Sequence, residues 1–249
     1  MINLIKGDCL EVMKTIPDGS IDAIITDTPY GTTRCKWDSV IDLSLMWEQL
    51  NRIIKPNGAI VLFAQTPFDK ALGASNLNML RYEWIWEKTA ATGHLNAKRM
   101  PMKAHENILV FYKQLPTYNP QKTTGHKPVN NYTKSVNGGT ADGELYGKTG
   151  VVSGGGNTDR YPRSVITYSS DKQKEKLHPT QKPVALMEYL IKTYTNENQT
   201  VLDFTMGSGS TGVAAKNLNR KFIGIEMDGN YFNIATDRIN KQEDQSKLF

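Results

Sequence analysis

The chain has 249 residues, 39% apolar and 9% aromatic, enough for one globular domain with a full core or for a domain carrying one insertion. That composition excludes a disordered chain, and two cysteines without CxxC spacing, Cys9 and Cys35, indicate neither a disulfide framework nor a zinc site. The net charge of +5 is uneven: residues 81–177 carry 15 Lys and Arg against 8 Asp and Glu, which suits contact with a polyanion, a solvated basic face being the plainer alternative. Apolar runs such as residues 59–64 are too short to span a bilayer, and residues 1–8 lack the basic and greasy regions of a signal peptide. A cytoplasmic location without membrane contact is expected.

In chain order, residues 2–5 (INLI) read as a strand and residues 10–16 as a helix. A turn at Pro17-Asp18-Gly19-Ser20 leads into a buried strand at residues 21–26 (IDAIIT). Residues 42–54 have helical period, with Leu43, Met46, Trp47, Leu50 and Ile54 on one face. Lys55-Pro56-Asn57-Gly58 is expected to stop that helix before a buried strand at 59–64. Two β-rich runs follow, 82–86 and 107–112, separated by a polar, basic loop from Lys88 to Glu106. Eight of the 20 glycines then fall between Asn137 and Gly156, interspersed with tyrosines, so 115–177 reads as a loop-rich recognition insertion rather than core. Regular alternation resumes after His178: a helix at 184–194, a strand at 200–204, a glycine turn and helix at 210–218, a strand at 222–226 and a helix at 230–239. Alternating strands and helices argue for an α/β fold with a parallel sheet covered on both faces.

Two motifs carry chemistry. In the first, a strand runs into Gly207-Ser208-Gly209, then a helix, then a strand ending at Glu226, 19 residues beyond Gly207. Glycines at such a turn admit a ligand to the backbone, and the acid is placed to accept both hydroxyls of a ribose, so an adenosine-containing cofactor is indicated. The spacing does not separate NAD from S-adenosylmethionine. The second is Asp27-Thr28-Pro29-Tyr30 at the C-terminal end of its strand, the end where parallel sheets bind ligands. A carboxylate, a stiffened turn and an aromatic ring suit capture of a planar ring bearing an amine.

Asp27-Thr28-Pro29-Tyr30 resembles the DPPY motif of amino-group DNA methyltransferases, residues 201–209 (VLDFTMGSG) resemble their FxGxG cofactor loop, and residues 178–183 (HPTQKP) their helix-opening cofactor motif. The order, catalytic motif first, resembles the β class. This implies a circularly permuted, Rossmann-like S-adenosylmethionine-dependent fold, with residues 1–114 and 178–249 forming the catalytic and cofactor-binding domain and 115–177 the target-recognition region. It implies transfer of a methyl group to the N6 amine of a flipped adenine in a specific DNA sequence. A cytosine N4 enzyme and a non-catalytic DNA- or cofactor-binding relative are the alternatives, with a nicotinamide dehydrogenase third. The family's adenine enzymes usually carry Asp at the first motif position, its cytosine enzymes Ser.

The resemblance assigns the target amine to Asp27 and the carbonyl of Thr28, with Pro29 stiffening the turn and Tyr30 stacking on the base. It assigns the ribose to Glu226, the adenine amine of the cofactor to Asp8 and its methionine amine to Asp203, with Thr205, Gly207 and Gly209 in the cofactor loop and Thr180 and Lys182 near the methionine carboxylate. Asp8 has a simpler reading as a helix N-cap. Lys98, Arg99, Lys103, Lys122, Lys127 and Lys134 are the expected contacts to double-stranded DNA. A homodimer and a cognate restriction enzyme are compatible partners. No metal is expected, because His94, His105, His126 and His178 lack ligand spacing. Thr28 stands where the family has its first proline, and Phe204-Thr205 where it has Pro-Phe.

Overall fold

Side chains in the central strands sort by parity. In β2 (Ile21–Asp27) and β3 (Ile54–Ala64), residues Ala23, Ile25, Ala59, Val61 and Phe63 enter one apolar cluster, and Ile24, Ile60, Leu62 and Ala64 enter another. Alternate residues of a strand point to opposite faces, so a sheet covered on both sides produces continuous apolar runs. The computed structural model describes residues 1–31, 40–129, 132–135, 151–169 and 181–241.

Helices α1 (Cys9–Met13), α2 (Leu43–Ile53) and α3 (Phe68–Ala74) cover one face, burying Met13, Met46, Trp47, Leu50, Ile53, Phe68 and Leu72. Helices α4 (Val184–Tyr194), α5 (Ser210–Asn217) and α6 (Gly229–Lys241) cover the other through Leu186, Leu190, Val213, Ala235 and Ile239. The 3.6-residue period anticipated α2 through its buried stripe, but not the two-turn α3.

With β1 (Ile2–Lys6), β4 (Leu80–Thr92), β5 (Lys103–Phe111), β8 (Val165–Tyr168), β9 (Thr200–Asp203) and β10 (Lys221–Glu226), the main sheet has the order β1-β10-β9-β2-β3-β5-β4-β8. The first strand pairs in parallel with the last, Ile2 with Phe222 through Lys6 with Glu226. The half of the sheet holding the glycine turn is therefore assembled from both ends of the chain, as a circular permutation requires.

The expectation of a wholly parallel sheet needs correction. β5 runs antiparallel to both β3 and β4, because the short 93–102 connection makes β4 and β5 a hairpin. That connection is also shorter than the expected loop from Lys88 to Glu106, since both strands continue into it. α2 ends at Ile53, just ahead of Lys55-Pro56-Asn57-Gly58 as expected, but these four residues form a bulge inside β3 instead of preceding the strand: Ile21 pairs with Ile54, and the next match is Ala23 with Ala59. A bulge accommodates Pro56, which has no amide hydrogen for the ladder.

The chain forms two compact units, Met1–Asn119 with Ser164–Phe249, and Pro120–Arg163. Within the second, Thr123 and Arg160 exchange backbone hydrogen bonds at 3.0 and 2.8 Å, and the His126 amide donates to Thr158 at 3.0 Å. Further along, β6 (Tyr132–Ser135) pairs antiparallel with β7 (Val151–Gly154). An antiparallel ladder thus replaces much of the expected irregular loop. The ends of the 115–177 stretch belong to the first unit, with the Asn119 amide bonded to Thr193 and β8 paired to β4. No helix among the described residues is long and apolar enough to cross a membrane.

Candidate active site

Four acids stand at the C-terminal ends of four neighbouring parallel strands. Asp27 ends β2, Asp203 ends β9, Glu226 ends β10, and Asp8 follows β1 by two residues. Strand-to-helix connections leave β9 and β2 in opposite directions across the sheet, and such a switch point opens a crevice. All four acids line one cavity of about 660 Å³, together with Thr28, Pro29, Tyr30, Gly207 and Ser210.

Asp27 is held from two sides. Its Oδ2 lies 2.6 Å from Lys182 Nζ, and Tyr30 donates its hydroxyl to Oδ1. Thr205 Oγ1 donates to the Asp27 carbonyl at 3.0 Å, fastening the end of the strand. The Tyr30 ring stacks on Phe68 with centroids 5.5 Å apart, so its orientation is fixed from behind. Burial pushes the Asp27 carboxyl above its ordinary value, Lys182 opposes that shift, and Glu106 adds to it. The side chain is still 21% exposed, and a carboxylate has acceptor positions beyond the two in use.

Lys182 lines the same cavity. Expected beside the cofactor's carboxylate, it is the counter-ion of Asp27 and of Glu106, whose Oε2 lies 3.0 Å away as an ion pair without directed hydrogen-bond geometry. Glu106 Oε1 in turn lies 2.5 Å from Lys88 Nζ and accepts from Gln65 at 3.0 Å. Lys88 and Glu106 stand at the ends of the expected polar, basic loop, yet both are buried. The available signal was period two, because Trp84, Trp86 and Lys88 share one face of β4, and Trp86 pairs with Glu106 across the hairpin.

The glycine turn follows the expected physics. Gly207 and Gly209 have φ of 49° and 81°, and a Cβ on Gly209 would stand 2.9 Å from Ala235 Cβ. Glu226 Oε2 accepts from the Gly207 amide at 2.9 Å and Oε1 from the Asp228 amide at 2.8 Å, which fixes the carboxylate against the turn. Asp8 does serve as the α1 N-cap, its Oδ1 accepting from Leu10 at 2.8 Å, while also lining the cavity. Phe204 is buried in the core, and its amide donates to Thr26 Oγ1.

Asp203 is a brace. Thr26 and Thr211 donate hydroxyls to its two oxygens at 2.8 and 2.6 Å, and the Thr205 amide donates at 3.2 Å. Burial pushes this carboxyl up to about 6, against those hydrogen bonds. A raised folded-state value means that the folded chain keeps a proton the unfolded chain has lost, so stability falls as pH rises from about 4 to about 6. Asp203→Asn preserves the shape and flattens that fall. Guanidinium midpoints that decline as steeply in the variant as in the parent across this window would contradict the assignment.

The remaining expected residues divide. Thr205 lines the cavity, but its hydroxyl serves the Asp27 carbonyl. Thr180 and Cys35 lie outside the described residues, and of Lys134 only the backbone is described. Lys98 and Arg99 are exposed in the 93–102 connection, and Lys103 is exposed at the start of β5. Lys127 is exposed in the second unit, whereas Lys122 is engaged there, 2.7 Å from Asp159 and 4.3 Å from the Tyr161 ring centre. Among the described residues, no group of His, Cys, Asp and Glu gathers to hold a metal ion.

Residues 21–237 match the DNA methylase family designated N6_N4_Mtase. Over 256 residues the chain is 30% identical to the Type II methyltransferase M.HpaI of Haemophilus parainfluenzae, covering 96% of this chain and 74% of that protein. The Type II methyltransferase M1.MboII of Moraxella bovis is 30% identical over 258 residues, covering 95% of each. The crystal structure of the M1.HpyAVI–SAM complex is similar at 27% identity, covering 96% of this chain and 100% of that one, with a TM-score of 0.66. The PvuII DNA methyltransferase, described as cytosine-N4-specific, shares the fold at 17% identity and a TM-score of 0.69, covering 95% of this chain and 86% of that one.

Proposed function

The chain belongs to the N6_N4_Mtase family of DNA methylases, and from that premise we propose that it transfers a methyl group from S-adenosylmethionine to adenine N6 in a specific double-stranded DNA sequence. The observation that carries this reading is Asp27, braced by Lys182 and Tyr30 on the wall of the cavity that also holds Asp8, Asp203 and Glu226.

The residues present fit the cofactor. Ser210 Oγ lines the cavity and is buried without a hydrogen-bond partner among the described residues, as a hydroxyl kept for a ligand would be. Glu226 is the acceptor for ribose hydroxyls and Asp8 for the adenine amine. Asp203 holds the turn, with a lone pair left for an ammonium. When bound, S-adenosylmethionine supplies an electrophilic methyl group on a sulfonium.

The protein's part is to make a poor nucleophile competent. An adenine amine delocalises its lone pair into the ring. Asp27 and the carbonyl of Thr28 accept its two hydrogens and favour a tetrahedral nitrogen, which is catalysis by positioning and electrostatics. The carboxylate also favours adenine over cytosine, because the family pattern puts Asp at this position in adenine enzymes. Tyr30, backed by Phe68, stacks on a base that has left the duplex at a cost of a few kcal/mol. The proton released afterwards passes to Asp27 or to water. Transfer of labelled methyl from S-adenosylmethionine to mixed-sequence DNA tests this; a non-catalytic relative transfers none.

The unit Pro120–Arg163 and the 93–102 connection are the proposed DNA contacts. Replacing Lys98, Arg99 and Lys103 together by alanine weakens DNA binding and flattens its salt dependence by up to ~0.9 log unit per lost phosphate contact, with cofactor affinity unchanged. Affinities measured at several salt concentrations check this, and identical slopes in variant and parent would remove these residues from the interface. Because M.HpaI and M1.MboII bear the Type II name, a cognate restriction enzyme sharing the target sequence is the further partner we propose.

A further inference from the structure

Four charges of alternating sign run from β4 to the catalytic turn. Lys88 Nζ lies 2.5 Å from Glu106 Oε1, Glu106 Oε2 lies 3.0 Å from Lys182 Nζ, and Lys182 Nζ lies 2.6 Å from Asp27 Oδ2. The first three side chains are only 5–6% exposed. The aromatic rings of Phe63, Tyr30 and Trp86 surround the Lys182 ammonium at 5.2, 5.8 and 6.0 Å. Asp27 and Lys182 line the cavity, but Glu106 and Lys88 are not among its lining residues.

Such an arrangement is a poor way to stabilise a fold. Burying an ion pair costs several kcal/mol per ion in lost hydration, and well-packed apolar residues are often as stable or more so. One end of the chain of charges, however, is the carboxylate that must accept the target amine. An ammonium paired with Asp27 alone would sit where that one contact drew it and would draw off most of the carboxylate's acceptor strength. A second carboxylate changes both properties.

We propose that Glu106 is a positioning residue for methyl transfer: by sharing the Lys182 ammonium with Asp27, it anchors that ammonium while leaving Asp27 a strong acceptor for the amine. Lys88 balances the charge of Glu106 from the far side. The inference rests on the reading of Asp27 as the acceptor of the target amine. Among the described residues, the charged and titratable groups bearing on Asp27 are Lys182 from the segment before α4, Glu106 from β5, Tyr30 from its own turn and Asp203 from β9. Burial drives the Glu106 carboxyl up, and the two lysines outweigh that and hold it at about 2, so it stays charged at any working pH.

Glu106→Gln keeps the shape and removes the charge. Without that nearby negative charge the Asp27 carboxylate is easier to form, so Asp27 titrates at lower pH. The acid limb of the kcat profile moves down with it, and kcat at neutral pH falls at least about tenfold. Affinity for S-adenosylmethionine is unchanged. A carbon NMR titration of the Asp27 carboxyl reads the first effect without any turnover. Because this substitution strands Lys88 without its counter-ion, a second variant pairs Lys88→Met with Glu106→Leu, removing a neutral pair that apolar residues replace without loss of fold. If the pair only supports the fold, the double variant has the parent's rate and pH profile. If Glu106 positions Lys182, the double variant melts like the parent yet keeps the low rate and the shifted Asp27 titration. An Asp27 titration unmoved in Glu106→Gln, or a double variant as active as the parent, overturns the inference. A parent that methylates no DNA refutes the proposed function instead, and the NMR titration distinguishes the two failures.

Discussion

Asp27→Asn lowers the rate of methyl transfer by about 10²–10³-fold, the loss typical when one preorganised electrostatic partner of a transition state is removed. The substitution leaves a side chain of the same size in the same place, with one carbonyl oxygen to receive the Tyr30 hydroxyl. It also leaves Lys182 with a second anion, Glu106. The fold is therefore retained, whereas alanine would open a gap beside a buried ammonium. What the asparagine lacks is the charge that draws on both the amine hydrogen and the positive charge growing on nitrogen during transfer. Cofactor affinity stays at the parent's value, because the ribose, adenine and methionine groups are assigned to other residues. Single-turnover rates at saturating cofactor give the comparison. A loss smaller than tenfold would mean that the carboxylate does not orient the amine.

Glu226→Ala has the opposite signature. The carboxylate accepts two backbone amides, from Gly207 and Asp228, and is the proposed acceptor of the ribose hydroxyls. Burial pushes its carboxyl up while those amides pull it down, so part of its fixed geometry is held by the turn itself. Hydrogen bonds to a charged group are worth about 1.5–3 kcal/mol each, so losing two ribose bonds weakens cofactor binding by at least about tenfold. The transfer rate then recovers toward the parent's as cofactor concentration rises, since Asp27 is untouched. Calorimetry with S-adenosylmethionine checks this directly, and unchanged affinity would take Glu226 out of the cofactor site.

Sequence made the glycine turn and its neighbouring acid legible because their geometry is local. A glycine that must adopt positive φ, as Gly207 and Gly209 do, and an acid at the end of the next strand announce themselves by spacing alone. Asp27 was visible for the same reason, as an acid closing an apolar run. The partners of Asp27 were not. Lys182 reaches it from 155 residues away, and Glu106 and Lys88 meet only because β4 and β5 pair in a register that spacing does not announce. Charged residues beside a basic loop look solvated until the strands are seen to continue past them. Antiparallel β5 was missed likewise, since buried strands of either direction give the same apolar run. The role of Lys122 depended on Asp159, across the ladder of the second unit, and long-range pairing of that kind leaves no periodic trace.

The proposed methylation of adenine N6 at a defined DNA sequence has one direct test. Long-read sequencing of DNA from cells expressing it, beside DNA from cells expressing Asp27→Asn, identifies the modified base and its context together. N6-methyladenine within one recurring sequence is expected, present with the parent and absent with the variant. N4-methylcytosine at that recurring site, or DNA without any modified base beyond the control, would contradict it.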